Sequence, residues 1–168
     1  VPSDKGIFLN KTYRLHPSIC DFVSEAFYES KLVPSVSDLE SEIIWSKNND
    51  LNMKRNGIQL LLTSHNSCSK SSEVEAKKVC EIFETLLDGS FYKSKEGEKK
   101  IECDDILVVA PYNMQVELLK SLLPKGSKVG TIDKFQGQEA RVVLVSMTTS
   151  SAEEIGKDVA FLFSKNRH

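Results

Sequence analysis

Three polar clusters in the sequence carry residue types that suit ligand binding. They are Tyr13-Arg14-Leu15-His16-Pro17, Pro111-Tyr112-Asn113-Met114-Gln115 and Gly130-Thr131-Ile132-Asp133-Lys134-Phe135-Gln136-Gly137-Gln138-Glu139. Each comes at or just after an apolar strand candidate, and open α/β sheets bind their ligands outside the carboxyl ends of the strands. In the third cluster, Gly137 lies among polar side chains where another molecule can approach the backbone closely. The clusters are therefore the candidates for a binding site.

Each cluster also has a plainer interpretation. Tyr13 and Arg14 could form a surface stacking pair. His16 has no neighbouring serine, cysteine or metal ligand, so a helix cap or a packed imidazole explains it better than a catalytic base. Tyr112 and Gln115 could simply open a helix. No single cluster decides between these alternatives.

The elements that position the clusters alternate between strands and helices. The strand candidates are Ile7–Leu9, Ile58–Leu62, Ile106–Ala110, Val129–Ile132 and Val142–Met147. One helix opens at Pro17, and another starts at Ser72 with capping-box spacing to Glu75 and stops at Gly89. A third runs from Asn113, as its N-cap, to Leu123, and a short one begins near Lys134. This order predicts an α/β fold with a mostly parallel sheet and helices on both faces.

Two segments interrupt this pattern. Residues 33–56 are rich in serine, acids and asparagine around an isolated Ile43-Ile44-Trp45, which predicts a loop-rich insertion. Residues 93–100 alternate charge around Gly97, which predicts a mobile surface loop and not a binding patch. Residues 1–168 otherwise form one domain with these two interruptions.

Composition excludes several classes of protein. The chain has 168 residues, of which 40% are hydrophobic and 27% charged, with a formal net charge of -2. That balance argues against disorder, no apolar run is long enough to span a bilayer, and the first residues lack a signal-peptide pattern. The four cysteines are widely spaced without close histidines, so they favour reduced structural thiols in a cytoplasmic protein over a zinc site. Near-zero net charge means that any nucleic-acid binding has to come from a local site.

Taken together, the clusters resemble a known family. The order is Y-R-x-H-P, then V-x-A-P-Y-x-x-Q, then V-G-T-x-D-x-F-Q-G-Q-E-A followed by a V-V-L-V-S-M strand. It resembles the C-terminal, second RecA-like domain of superfamily 1 helicases, in the group of nonsense-mediated-decay and replication-associated helicases (AAA_12-like, UvrD-like C-terminal domain). The resemblance runs from about Phe8 to the C-terminus, without the insertion and the charged loop. It implies a three-layer RecA-like fold of the P-loop NTPase type.

The resemblance also implies a nucleotide site. Arg14 matches a catalytic arginine that reaches the γ-phosphate of ATP, for which a guanidinium is suited because its fixed fork pairs with phosphate oxygens. Tyr13 matches an aromatic that stacks on adenine. Glu139 matches an acid that accepts from the ribose hydroxyls, and Gly137 lets the loop approach the nucleotide. The implied activity is ATP-dependent translocation along single strands of DNA or RNA, with unwinding.

Other positions match the nucleic-acid side of such domains. Thr131 matches a hydroxyl near the phosphate backbone, and Tyr112 and Gln115 are assigned to the same side. His16 belongs to its motif as a structural histidine, and Asp133 is expected to cap the short helix near Lys134.

The sequence lacks the parts that an ATPase needs for phosphate and magnesium. It contains no G-x-x-x-x-G-K-S/T motif, and Asp104-Asp105 precede a strand where a magnesium-binding acid should follow one. Phe161–Arg167 resembles the start of the last family motif, but the N-V-A-x-S/T-R-A string with the second arginine is missing. We therefore expect a truncated second domain whose ATP and Mg²⁺ are held mainly by a first RecA-like domain, and which hydrolyses no ATP alone.

Two alternatives to the helicase remain at this stage. The first is a non-enzymatic module in which Tyr13, Arg14 and Tyr112 hold single strands without ATP. The second is a small nucleotide-binding or hydrolytic enzyme of flavodoxin-like architecture. The second is disfavoured because the sequence has neither a nucleophile elbow nor a glycine-rich loop after its first strand.

Overall fold

A computed structural model describes residues 6–35, 41–46, 52–66 and 68–149. In chain order its elements are β1 (Lys11–Thr12), α1 (Pro17–Phe27), β2 (Val33–Pro34), β3 (Glu42–Ile44), α2 (Glu73–Leu87), β4 (Phe91–Ser94), β5 (Gly97–Lys100), β6 (Ile106–Val109), α3 (Asn113–Leu122), β7 (Lys128–Gly130) and β8 (Val142–Val145). Single 3₁₀ turns cover Cys103–Asp105 and Ile132–Phe135. The α/β class predicted from the sequence is confirmed.

The central sheet is parallel and has the strand order β7-β6-β8. Val108 of β6 lies beside Val129 of β7 and Leu144 of β8 in the register. The sequence places these strands within one or two residues of their observed ends. Because all three strands run the same way, their carboxyl ends meet at one edge of the sheet, where the second and third polar clusters begin.

Helices α2 and α3 pack on one face of this sheet and form the main core. Phe83 and Leu86 of α2 and Leu119 of α3 are fully buried against Ile106 and Val108 of β6. Helix α2 forms where the sequence predicts it, since Ser72 caps its first turn and its apolar residues recur on one stripe. Gly89 follows the helix with a φ of 78°, a conformation that favours glycine and ends the helix.

The residues that the structure describes cover the opposite face of the sheet only in part. Leu107 and Val109 of β6 are buried beneath Phe135, which comes from the 3₁₀ turn after β7. The neighbouring Val143 and Val145 of β8 remain about half exposed on this face. The turn thus fixes the third polar cluster to the sheet through one aromatic side chain.

A second, antiparallel sheet contradicts two sequence predictions. The charged residues 93–100 are not a loop: β4 and β5 form a hairpin there, and β3, inside the predicted insertion, pairs with β4. Strand β3 extends this hairpin into a sheet, with Ile44 and Ile43 aligned opposite Phe91 and Tyr92 of β4 across the ladder. Cross-strand partners of this kind are distant in sequence, so charge alternation alone could not reveal them.

Arg141, just before β8, ties the hairpin to the central sheet. Its guanidinium lies 4.0 Å from the ring centroid of Tyr92, and its Nε donates to Asp105 Oδ1 at 2.9 Å. Stacking and ion pairing by one guanidinium use both the face and the edge of the group. The two sheets therefore share a fixed contact beside the start of β8.

Two predicted strands do not form. Ile7–Leu9 forms no strand with the other described residues, and the first strand is β1, which begins four residues after Ile7 and pairs in parallel with β2. Ile58–Leu62 has no strand partner among the described residues, and Ile58, Leu60 and Leu62 are exposed. Both predictions rest on apolar content, but a strand also needs a partner for its backbone groups, and the sequence pattern does not supply one.

The four cysteines are free thiols, of which Cys20 is buried and the other three are half-buried. No disulfide joins Cys20, Cys68, Cys80 or Cys103. Burial, with a smaller contribution from Asp21, raises the pKa of the Cys20 thiol, and burial with Glu84 raises the pKa of Cys80. Among the described residues, no helix is long and apolar enough to cross a membrane.

Candidate functional site

The first and third polar clusters meet through one ion pair. The Nε of Arg14, in the bend after β1, donates to Oε1 of Glu139, in the loop before β8, although the two residues are 125 positions apart. Both side chains remain more than half exposed, at 62% and 61%. Tyr13, next to Arg14, is 72% exposed and leaves its ring open to a ligand. These two clusters thus form one surface.

The cap of α1 fixes the backbone that carries Arg14. His16 occupies the N-cap position, and its Nδ1 accepts from the N–H of Ser18 at 3.3 Å, while Pro17 takes the first helical position. This agrees with the structural role predicted for His16. The cap fixes the backbone of the bend, and this defines the direction in which the side chain of Arg14 extends.

Two glycines shape the loop that carries Glu139. A Cβ at Gly130, the last residue of β7, would lie 2.6 Å from Cδ of Lys134 and 3.2 Å from Cε2 of Phe135, so a larger residue would make these side chains shift. Gly137 has a φ of 82° with open space around it. The first glycine lets the turn pack closely on the strand, and the second lets the chain turn towards Glu139.

Thr131 and Tyr112 lie at neighbouring strand ends. Thr131 directly follows β7 and occupies the N-cap position of the 3₁₀ turn, and Tyr112 holds the N-cap position of α3. Asp133 was predicted to cap that turn, but it lies within the turn itself, because the turn starts two residues earlier than expected. Thr131 and Tyr112 are both partly exposed at the ligand-binding edge of the sheet.

Gln115 occupies a different environment from the other predicted site residues. Its side chain is fully buried; its Nε2 donates to the Ser72 carbonyl and to Ser146 Oγ, and its Oε1 accepts from the Ser72 N–H. No atom of this amide faces solvent, which does not agree with direct contact to a nucleic acid. Gln115 lies one helical turn after Tyr112 and faces the core together with Val116 and Leu119 of the same helix.

A polar network that no motif in the sequence indicates lies beside Gln115. Glu75, predicted to complete a capping box with Ser72, instead accepts from Ser146 Oγ at 2.6 Å and from the N–H of Thr148 at 2.9 Å. Only half of the capping box forms, since Ser72 Oγ accepts from the Glu75 N–H. The local spacing was a correct signal for the helix start, but tertiary partners compete for the carboxylate.

The geometry is suited to an anionic ligand carrying a ring. Arg14 offers a guanidinium to phosphate, Tyr13 an exposed ring for stacking, and Glu139 a carboxylate to hydroxyl donors. In the described part of the chain, no three His, Cys, Asp or Glu side chains come close enough to hold a metal ion. The residues that resemble the start of the last family motif, Phe161–Arg167, lie outside the described residues.

Comparison with known proteins agrees with the motifs. The chain is 33% identical over 178 residues to "DNA polymerase alpha-associated DNA helicase A" of Schizosaccharomyces pombe, covering 95% of this chain and 25% of that protein. It is 26% identical to "Probable RNA helicase armi" of Drosophila melanogaster, over 89% of this chain and 13% of that protein. It is 28% identical to "DNA-binding protein SMUBP-2" of Rattus norvegicus, over 86% and 15%. The chain therefore spans a quarter or less of these relatives.

The AAA domain family (AAA_12) matches residues 3–168, which is almost the whole chain. The match includes all three polar clusters and all three sheets. The DNA helicase of Schizosaccharomyces pombe named above covers 95% of this chain at 33% identity. The chain therefore belongs to the AAA domain family AAA_12, and it is a domain of a superfamily 1 helicase of the nonsense-mediated-decay and replication-associated type.

Proposed function

We propose that this chain is the second RecA-like domain of an ATP-dependent helicase, and that it acts in the cytoplasm on single strands of DNA or RNA. The observation that carries the proposal is the contact of Arg14 with Glu139, which joins the first and third polar clusters across 125 positions of sequence. A nucleotide pocket needs side chains from distant segments at one surface, and these two are brought together. The cysteines, without a disulfide, fit a reducing compartment.

In this proposal each group binds one part of ATP. Arg14 takes the γ-phosphate, Tyr13 stacks on adenine, and Glu139 accepts from the ribose, with Gly137 giving the loop room to approach. The ion pair between Arg14 and Glu139 has to open for this, because the α- and β-phosphates of ATP separate the γ-phosphate from the ribose. Opening is easy, since an exposed pair of this kind contributes only about 0–1 kcal/mol.

The remaining parts of the ATPase are assigned to a first RecA-like domain. Magnesium neutralises phosphate charge during transfer, and its ligands would come from that domain, as would the glycine-rich phosphate loop. Closure of the two domains brings Arg14 against the γ-phosphate, and opening after phosphate release resets the site. Thr131 and Tyr112, at the carboxyl ends of β7 and β6, face the single strand.

The test is the ATPase rate of the complete gene product with and without single-stranded DNA and RNA. Stimulation by either nucleic acid supports the helicase, and the better activator identifies the substrate. Binding of single strands without any ATP hydrolysis would instead support the non-enzymatic module. The 168-residue chain alone is expected to hydrolyse no ATP, and measurable turnover by it would contradict the division of the site between two domains.

Replacing Glu139 tests the ribose contact. In the complete gene product, Glu139→Ala should weaken binding of a non-hydrolysable ATP analogue by about 10- to 100-fold, because charge-assisted hydrogen bonds contribute about 1.5–3 kcal/mol. Isothermal titration measures the affinity. A matched control is Glu117→Ala, an exposed glutamate of α3 that pairs with Lys120. Equal affinity in both variants would remove Glu139 from the nucleotide site.

A further inference from the structure

Thr148 has a strained backbone conformation just after the end of β8. Its φ is 68°, a left-handed conformation that β-branched residues rarely adopt, and the residue is fully buried. It lies three positions beyond the end of β8. Backbone strain of this kind persists only where the surroundings hold it, and it concentrates at functional sites.

The carboxylate of Glu75 holds this conformation. The N–H of Thr148 donates to both carboxylate oxygens, at 3.0 Å to Oε1 and 2.9 Å to Oε2. Ser146 Oγ donates to Oε2 at 2.6 Å. The side chain of Glu75 is only 12% exposed, so these bonds form in a low-dielectric environment where they are strong and where their loss is costly. One side chain of α2 thus fixes the segment Ser146–Thr149.

Further groups hold Glu75 in turn. Nε2 of His65 lies 2.8 Å from Glu75 Oε1, and the ring is almost completely buried. Gln115 donates to Ser146 Oγ at 2.9 Å, so the hydroxyl has a partner on each side. The carboxylate of Glu75, the amide of Gln115 and the hydroxyl of Ser146 are all hydrogen-bonded to other protein groups. The network itself therefore positions a neighbouring segment and does not bind a ligand directly.

The positioned segment lies at the ligand-binding edge of the sheet. Ser146–Thr149 leaves the carboxyl end of β8, and the adjacent β6 ends just before Tyr112. Thr131 follows β7 on the other side of β6. Within the segment, Met147 is 45% exposed, and a thioether can contact the face or edge of an aromatic base. Three neighbouring strand ends thus present side chains along one edge.

We propose that Ser146–Thr149 is the third part of the nucleic-acid contact, beside Tyr112 and Thr131, with Met147 contacting a base and Glu75 acting as the positioning residue. This rests on the proposed function, because it extends the same single-strand site. It assigns Gln115 a supporting role inside the protein. It also explains why a buried carboxylate is placed against a strained backbone at this end of the sheet.

The main experiment measures single-strand binding by Glu75→Gln in the complete gene product. The glutamine side chain places its NH₂ group against the hydroxyl of Ser146 or the backbone N–H of Thr148, which are also donors. The segment Ser146–Thr149 should therefore shift. The Kd for fluorescein-labelled oligothymidylate or oligouridylate, from fluorescence anisotropy without nucleotide, should rise about tenfold. The affinity for a non-hydrolysable ATP analogue should stay unchanged. Glu73→Gln, on the exposed face of the same helix, should bind both ligands normally.

A rescue variant separates positioning from stability. Glycine adopts positive φ without strain, so adding Thr148→Gly to Glu75→Gln should restore most of the oligonucleotide affinity. Binding is measured at a temperature where circular dichroism shows every variant fully folded, so a purely structural role would leave the Kd of Glu75→Gln unchanged. If Glu75→Gln does not fold, Met147→Ala decides the question, with an expected loss of about fivefold in affinity.

The outcomes distinguish this inference from the proposed function. If the unaltered protein binds neither oligonucleotide, the proposed function fails and this inference fails with it. If the unaltered protein binds but Glu75→Gln and Met147→Ala bind equally well, only this inference is overturned. A tenfold loss that Thr148→Gly reverses supports it.

Discussion

Arg14→Ala in the complete gene product is expected to lower the kcat of nucleic-acid-stimulated ATP hydrolysis by about 10³- to 10⁵-fold. The guanidinium stabilises charge that develops on the transferred phosphate, and alanine leaves that charge unpaired in a closed site. Single-strand affinity measured without nucleotide should remain near that of the unaltered protein. Arg14 contacts Glu139 of the proposed nucleotide site and is not among the residues assigned to nucleic acid. A steady-state phosphate-release assay measures the rate.

Two further variants make this test specific. Arg14→Lys keeps a positive charge but loses the forked guanidinium, so it should recover only part of the activity that Arg14→Ala loses. Arg55→Ala removes an exposed arginine that pairs with Glu42, and it should turn over ATP like the unaltered protein. Turnover by Arg14→Ala within about twofold of the unaltered enzyme would exclude Arg14 from catalysis.

The parts of the fold that the sequence predicted well are those set by local rules. Helix α2 follows from its cap at Ser72, its apolar stripe and the stop at Gly89. Strands β6 and β8 follow from short apolar runs bounded by turn residues. In each case the deciding interactions lie within a few residues of one another, and such patterns can be recognised in one sequence.

The parts that were predicted wrongly depend on distant partners. Ile58–Leu62 has the composition of a strand but no ladder partner in the described structure. Charge alternation predicts a loop where β4 and β5 form a hairpin, because their partner strand β3 lies about fifty residues earlier, inside a polar stretch. Strand formation depends on pairing, and the pairing of segments far apart in sequence is not visible in local periodicity.

The candidate site shows the same division. The resemblance selected Arg14 and Glu139 independently, and the structure brings the two into contact. It could not show that Gln115 faces inward, because the Y-x-x-Q spacing fixes a helical turn but not which side of the helix meets the core. Glu75 escaped notice because the capping-box rule already explained it. A residue that satisfies a local rule can still be used by a tertiary network.

The core under this site should be sensitive to a single deletion. Phe83→Ala is expected to lower the opening free energy of the sheet by about 3–5 kcal/mol, because a fully buried ring leaves a cavity between α2, α3 and β6. Native-state hydrogen exchange of the β6 amides measures this in the complete gene product, where global unfolding of several domains would be hard to interpret. The expected change corresponds to exchange that is about 10²- to 5 × 10³-fold faster.

Phe22→Ala provides the matched control, since this phenylalanine on α1 is 58% exposed. Its loss should change the opening free energy measured at the β6 amides by less than about 1 kcal/mol. An equal effect of the two substitutions would contradict the assignment of Phe83 to the core. The same helix that holds Phe83 also carries Glu75, one face towards the core and one end towards β8. Loosening α2 by Phe83→Ala should therefore also free the segment Ser146–Thr149, and single-strand affinity should fall together with the protection of β6.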